Sequence, residues 1–179
     1  AHKIRYFSQA ILTTSKTIIK DNPKLTVRLN KKAEIHLPII IIDKNLNTPL
    51  NSNVLKDISK KRVIIFTTKK NNKSFHLTKI GCEIIYCKSN KSNKLNLRSI
   101  FKVIYSLKIS DILVEAGGIL FTNLLKNNLV DELHIFKSKI IIGQNGKPAI
   151  WGKKINDLKL TLSQKKNFKS DIYYKYDLN

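Results

Sequence analysis

PIIIID, residues 38–43, decides how the rest of the chain is read. Four isoleucines in succession show no alternation of apolar and polar residues, so the segment is a strand covered on both faces. Even as HLPIIIID (36–43) it is far shorter than the ~20 residues of a membrane span. RVIIFTT (62–68) and CEIIYC (82–87) repeat the pattern, and QAILTT (9–14) and ILVEA (112–116) are shorter versions of it. LRSIFKVIYSLK (97–108) and ILFTNLLKNNL (119–129) carry apolar residues at helical spacing. Strands that alternate with helices imply a parallel sheet. AHKIRYFS, at the start, reads as the end of a helix. The turn Asp21-Asn22-Pro23 follows a hydroxyl-rich turn, and LTVRL (25–29) then runs extended. ELHIFKSKIII (132–142) returns as one long strand. LKLTLSQ (158–164) and SDIYYKYDL (170–178) alternate strongly and fit an antiparallel hairpin that closes the sheet edge. The expected fold class is α/β, with a mainly parallel central sheet and an antiparallel C-terminal hairpin, in one domain.

The net charge of +22 invites a nucleic-acid partner, but its texture argues against one. Lysines are scattered through every segment beside many asparagines and isoleucines, and Arg5, Arg28, Arg62 and Arg98 are the only arginines. A surface shaped for phosphodiesters uses guanidinium forks and aromatic platforms as well as point charges. Lys, Asn and Ile are also what AT-rich codons supply, so genome composition accounts for the excess. The field still favours anionic small molecules. Cys82 and Cys87 flank EIIY and point to opposite faces of an extended segment, so they form neither a zinc site nor a redox pair. Both are expected to be reduced, in a cytoplasmic protein. The four histidines are dispersed, and no metal site is expected. The chain has no methionine and no charged-then-apolar leader, and it reads as a piece of a longer protein.

Two stretches can carry chemistry. VEAGGILFTNLL (114–125) places two of the chain's six glycines between a strand ending at Glu115 and a helix. Glycines let backbone approach a ligand closely, and the helix behind them offers unpaired N–H groups to a phosphate. The bland alternative, a tight βα turn with a solvated glutamate, is slightly better on the motif alone. AILTTSKTIIKDNPKLTVR (10–28) joins a strand, a hydroxyl-rich turn, Asp21 and Arg28. Hydroxyls and a carboxylate suit ribose or amide groups, and arginine offers a bidentate fork to phosphate. A capping cluster with an exposed arginine is an equal reading of these residues.

Taken together and in order, these stretches and the following KIIIG (139–143) closely resemble the reductase domain of the bacterial bifunctional riboflavin-biosynthesis deaminase/reductase. The resemblance implies a dihydrofolate-reductase-like three-layer fold. It also implies NADPH-dependent reduction of the ribose of 5-amino-6-(5-phosphoribosylamino)uracil to a ribityl chain. Arg5, Leu25, Arg28 and Glu115 fall on the family's substrate-binding positions, with Arg28 suited to the ribose phosphate. Thr17, Asp21 and the run Gly117, Gly118, Ile119, Leu120, Phe121, Thr122 and Asn123 fall on its cofactor-binding positions. No residue is named as general acid. The family's first strand and loop, with a K-x-A-x-S-x-D-G pattern, and its zinc-dependent deaminase half find no match in this chain. The expected partners are the phosphorylated aminouracil, a second copy of the chain packed through 132–142 and the C-terminal hairpin, and a separate deaminase. Three other readings compete: another pteridine or pyrimidine reductase of the same fold, a basic RNA-binding module, and a non-catalytic subunit. A dihydrofolate reductase carries a tryptophan in an early strand, whereas Trp151 lies late.

Overall fold

The computed structural model describes residues 1–29, 34–90, 92–140, 146, 148–150, 158–168 and 170–178, which fall into two compact units, Ala1–Gly117 and Gly118–Asn179.

In the first unit the order is α1 (His2–Phe7), β1 (Ala10–Thr14), α2 (Ser15–Asp21), β2 (Ile39–Ile42), β3 (Val63–Thr67), α3 (Asn72–Lys79), β4 (Glu83–Tyr86), α4 (Leu97–Ser106) and β5 (Ile112–Val114). The five strands form one parallel sheet in the order β4-β3-β2-β1-β5. β2 lies in its middle, with Ile39 opposite Ile11 on one side and Val63 on the other. Alternate residues face opposite sides of a strand. Ile39 and Ile41 pack with Ile11, Val63, Ile65, Ile18 of α2 and Leu77 of α3. Ile40, Ile64 and Phe66, on the other face, are equally buried. That two-sided burial is why the sequence shows unbroken apolar runs.

Several segments depart from the sequence reading. The hydroxyl-rich segment after β1 is a helix, with Thr14 as its N-cap accepting from the Thr17 amide. Ser and Thr serve caps and turns alike, so their presence did not separate the two. α3 went unread because its capping box pairs Asn71 with Ser74, which keeps the usual spacing but not the usual Ser/Thr and Glu/Gln residues. LTVRL forms no strand: Val27 alone bridges to Ile35, and Leu25 adopts a left-handed backbone at φ 54°. After β2 the chain turns on Asp43, which is 1% exposed. Its carboxylate accepts from the Asn47 amide (2.9 Å), the Thr48 amide (2.7 Å) and the Thr48 hydroxyl (2.7 Å).

Both cysteines are free, as expected. Burial pushes the Cys82 thiol up to about 12, and burial also raises that of Cys87, which is only half-buried. The thiolate is the reactive form, so a disulfide reagent at pH 8 is expected to label Cys87 well before Cys82. Mass mapping that found Cys82 labelled first would contradict this burial.

The second unit contains α5 (Gly118–Lys126), β6 (Glu132–Lys137), β7 (Leu160–Phe168) and β8 (Asp171–Leu178). The expected hairpin is present, but it does not extend the parallel sheet. β8 pairs with β6 as well as β7, giving a separate antiparallel sheet in the order β6-β8-β7. Alternation identifies a strand but not its partner. The long strand expected over 132–142 ends at Lys137, and Ile141 and Ile142 lie outside the described residues, as do Gly143 and Trp151. The register of β7 slips between Leu162 and Gln164.

On one face of this sheet His134 stacks on Tyr173, and its Nδ1 accepts from the Tyr173 hydroxyl at 2.8 Å. Its Nε2 lies 3.4 Å from Glu132, whose other oxygen accepts from Lys175 at 2.7 Å. Burial holds the His134 pKa below its usual value, with Lys175 adding to the effect and Glu132 opposing it. Between the lowered folded value and the ordinary unfolded one, the unfolded chain binds more protons. Stability is therefore expected to fall as pH drops below about 6.5, and His134→Leu should flatten that limb of the urea-midpoint profile. An unchanged profile in the variant would assign the titration elsewhere.

Candidate functional site

β1 and β5 are neighbours in the sheet, yet the chain leaves β1 toward β2 and reaches β5 only after running out to β4. The strand order reverses between them, and ligands of open α/β sheets bind in the crevice at such a point, beyond the carboxyl ends of the strands. Beyond β1 stand Thr14 and Thr17, with hydroxyl oxygens 3.1 Å apart. Beyond β5 stands Glu115, whose amide donates to the Leu12 carbonyl at 2.9 Å and continues the parallel pairing by one residue. The stretch 10–28 and the start of the second stretch, as far as Gly117, thus meet at this switch point within the first unit.

Arg5, on α1, meets Glu115 across 110 positions of sequence. Its Nε and Nη2 donate to the two carboxylate oxygens at 2.5 and 2.7 Å. Its Nη1 donates to the Thr26 carbonyl at 2.8 Å. The side chains of Arg5 and Glu115 are 13% and 27% exposed. Thr26 is buried, and its hydroxyl donates to Glu34. Arg28 is exposed, and its amide donates to His2 Nδ1 at 3.0 Å. Desolvation by burial, then the charges of Arg5 and Arg28, hold the His2 pKa below its usual value, which leaves Nδ1 free to accept. His2 and Thr26 escaped the sequence reading. The usable signals were the i, i+3 spacing of His2 and Arg5 on one helical face, and the place of Thr26 inside KLTVR.

The remaining expected positions divide. Leu25 is 3% exposed and belongs to the core. Asp21 ends α2, exposed, with Lys20 at 4.0 Å. The two glycines differ. A Cβ on Gly117 would meet nothing within 4 Å, so open space lies against its backbone. A Cβ on Gly118 would lie 2.7 Å from the Ala149 carbonyl oxygen and 2.8 Å from that of Pro148. Gly118 therefore accommodates a close approach of the chain's own backbone. Along α5, Leu120 and Thr122 are buried, Ile119 is exposed, and Phe121 and Asn123 are intermediate. The Asn123 side-chain amide donates to the Ile119 carbonyl at 2.9 Å.

A dinucleotide fits these residues through the uncovered backbone at Gly117 and the hydroxyl at Thr17. Among the described residues no group of three or more His, Cys, Asp or Glu is placed to hold a metal ion. No described helix is long and apolar enough to cross a membrane.

A parallel sheet with a switch-point crevice, and a separate antiparallel sheet on the same chain, defines a dihydrofolate-reductase-like α/β protein. The chain belongs to the RibD C-terminal domain family, whose model matches residues 1–174. It is 34% identical over 158 residues to the 5-amino-6-(5-phosphoribosylamino)uracil reductase of Buchnera aphidicola subsp. Acyrthosiphon pisum, covering 82% of this chain and 73% of that one. It is 32% identical over 146 residues to the riboflavin biosynthesis protein RibD of Aquifex aeolicus, covering 80% of this chain and 38% of that one. Among solved structures, Acinetobacter baumannii RibD matches 99% of this chain and 49% of its own at a TM-score of 0.83 and 20% identity. The Saccharomyces cerevisiae riboflavin biosynthesis reductase Rib7 matches 99% of this chain and 78% of its own at a TM-score of 0.74 and 19% identity. The chain thus spans less than half the length of these RibD relatives.

Proposed function

We propose that this domain reduces the ribosyl group of 5-amino-6-(5-phosphoribosylamino)uracil to the ribityl form in riboflavin biosynthesis, with NADPH as reductant. The observation that carries the reading is the Arg5–Glu115 pair beside the Thr14–Thr17 hydroxyls at the switch-point crevice. A dinucleotide held by Thr17, Asp21 and Gly117 would supply a hydride to C1 of the sugar once its ring has opened to an imine, with a proton taken up at the imine nitrogen to give the amine. The chain's own task is alignment, because a hydride donor and acceptor must be held about 3–3.5 Å apart. Arg5 presents N–H donors, Arg28 presents an exposed guanidinium for the phosphate, and Glu115 takes the family's substrate-binding place. Thr17, Asp21 and 117–123 are assigned to the cofactor, where Gly117 leaves its backbone uncovered. Leu25 is assigned to the substrate on the family's pattern. A homodimer through the antiparallel sheet, a cytoplasmic location and a deaminase on a separate polypeptide complete the reading. The exposed side chains along β7 support the first of these.

Binding only to the folded state stabilises it by about 2.7 kcal/mol at a hundredfold excess over Kd. NADPH is therefore expected to raise the melting temperature by several degrees, and to do so in moderate salt. No shift at millimolar NADPH, with tight RNA retention that collapses as salt is added, would favour the RNA-binding alternative instead.

A further inference from the structure

A second cluster of charges lies at the opposite edge of the parallel sheet. His36 and Lys61 stand just before β2 and β3, at the amino ends of the strands, whereas the crevice lies beyond the carboxyl ends. With Lys24, Lys56, Glu34 and Asp57 they line a cavity of about 140 Å³. A water molecule's share of liquid volume is about 30 Å³, so the cavity has room for a tetrahedral oxyanion.

Both carboxylates of this cavity are already engaged. Glu34 accepts from the Thr26 hydroxyl, and Asp57 lies 3.5 Å from Lys60. The cations are not. None of the described ion pairs involves Lys24, Lys56 or Lys61. Lys24 and Lys56 are exposed, and Lys61 is half-buried. Burial, only partly offset by Asp57 and Glu34, holds the Lys61 pKa below its usual value. A half-buried ammonium in that state has too little negative charge beside it. His36 Nδ1 is also buried without a hydrogen-bond partner, a condition that calls for one. We propose that this cavity is a binding site for a phosphate dianion, held by Lys24, Lys56 and Lys61. The site is separate from the crevice and does not depend on the function proposed above. Lysine ammonium groups are compact point charges, which pair with a tetrahedral anion without a planar fork. The net charge of +22 draws anions toward it.

The test is a calorimetric titration with inorganic phosphate, against sodium chloride at equal ionic strength. It is run on the parent and on Arg28→Gln, so that phosphate held by Arg28 is not counted. Saturable binding is expected to persist in Arg28→Gln. In that background Lys56→Gln and Lys61→Gln should each weaken it about tenfold, since a hydrogen bond to a charged group is lost. Glu34→Gln keeps an acceptor for Thr26 but removes a repelling charge, and should tighten binding about two- to fivefold. Lys56 is exposed, so its variant tests the site even if Lys61→Gln does not fold. Glycerol phosphate, titrated in parallel, identifies the source: equal affinity supports a phosphate monoester, and weaker binding supports the free ion. The proposal is overturned if Arg28→Gln abolishes binding, or if chloride reproduces the heat. It also fails if Lys56→Gln and Lys61→Gln bind phosphate as tightly as the protein that retains both lysines.

Discussion

Asp43→Ala is expected to destabilise the first unit by about 3–4 kcal/mol, the sum of several lost charge-assisted hydrogen bonds in a buried place. The carboxylate is 1% exposed and accepts three donors, the Asn47 and Thr48 amides and the Thr48 hydroxyl. Alanine leaves all three without that partner, and the Thr48 amide and hydroxyl are buried with it. The turn also places the Lys44 carbonyl, which accepts from the Thr67 and Thr68 hydroxyls and from the Thr68 amide, so damage should spread to the carboxyl end of β3. Asp43→Asn keeps an acceptor oxygen and should lose roughly half as much. Urea titrations of the three proteins measure this directly, and a loss under about 1 kcal/mol for alanine would mean the turn is held by other contacts.

Gly118→Ala should cost about 2–3 kcal/mol, the upper end of what one added methyl inflicts on a packed site. Its Cβ would sit 2.7 and 2.8 Å from two carbonyl oxygens of the chain's own backbone, which cannot rotate away as a side chain would. Gly117→Ala provides the contrast. With nothing within 4 Å of the new methyl, its stability should stay within about 0.5 kcal/mol of the parent. On the proposed function, the same substitution fills the space left for the dinucleotide and should weaken NADPH binding. Melting curves and NADPH titrations on both variants separate the two roles. Equal destabilisation by the two alanines would remove the distinction between the adjacent glycines.

Much of the site was legible as membership and little of it as geometry. Arg5, Thr17, Arg28 and Glu115 stand out because their surrounding motifs are specific, and within the first unit the fold sets the ends of β1 and β5 side by side. The motifs did not reveal that Arg5 and Glu115 engage each other. Neither HKIR nor VEAGG carries a mark of a partner 110 positions away. Leu25 matched a motif position, yet its side chain belongs to the core, since the left-handed backbone at φ 54° accompanies an inward-directed side chain. At Gly118 the chain's own backbone comes close, and such an approach asks the same thing of the residue as a ligand would, so the motif does not separate the two. His2 and Thr26 act through a ring nitrogen and a backbone carbonyl, whose partners their motifs place near the site but do not name.

The sequence by itself determined the parallel core. β-branched runs at 38–43 and 62–68 are apolar on both faces, and burial on both faces is what a central parallel strand requires; the run at 82–87 has the same pattern but forms the edge strand β4, which is only partly buried. Tertiary structure alone decided which strand the C-terminal hairpin would join, which glycine faces open space, and that one carboxylate would hold one guanidinium. The reason is range. Hydrophobic period is written in neighbouring residues, whereas a pairing across the fold depends on where distant segments come to rest.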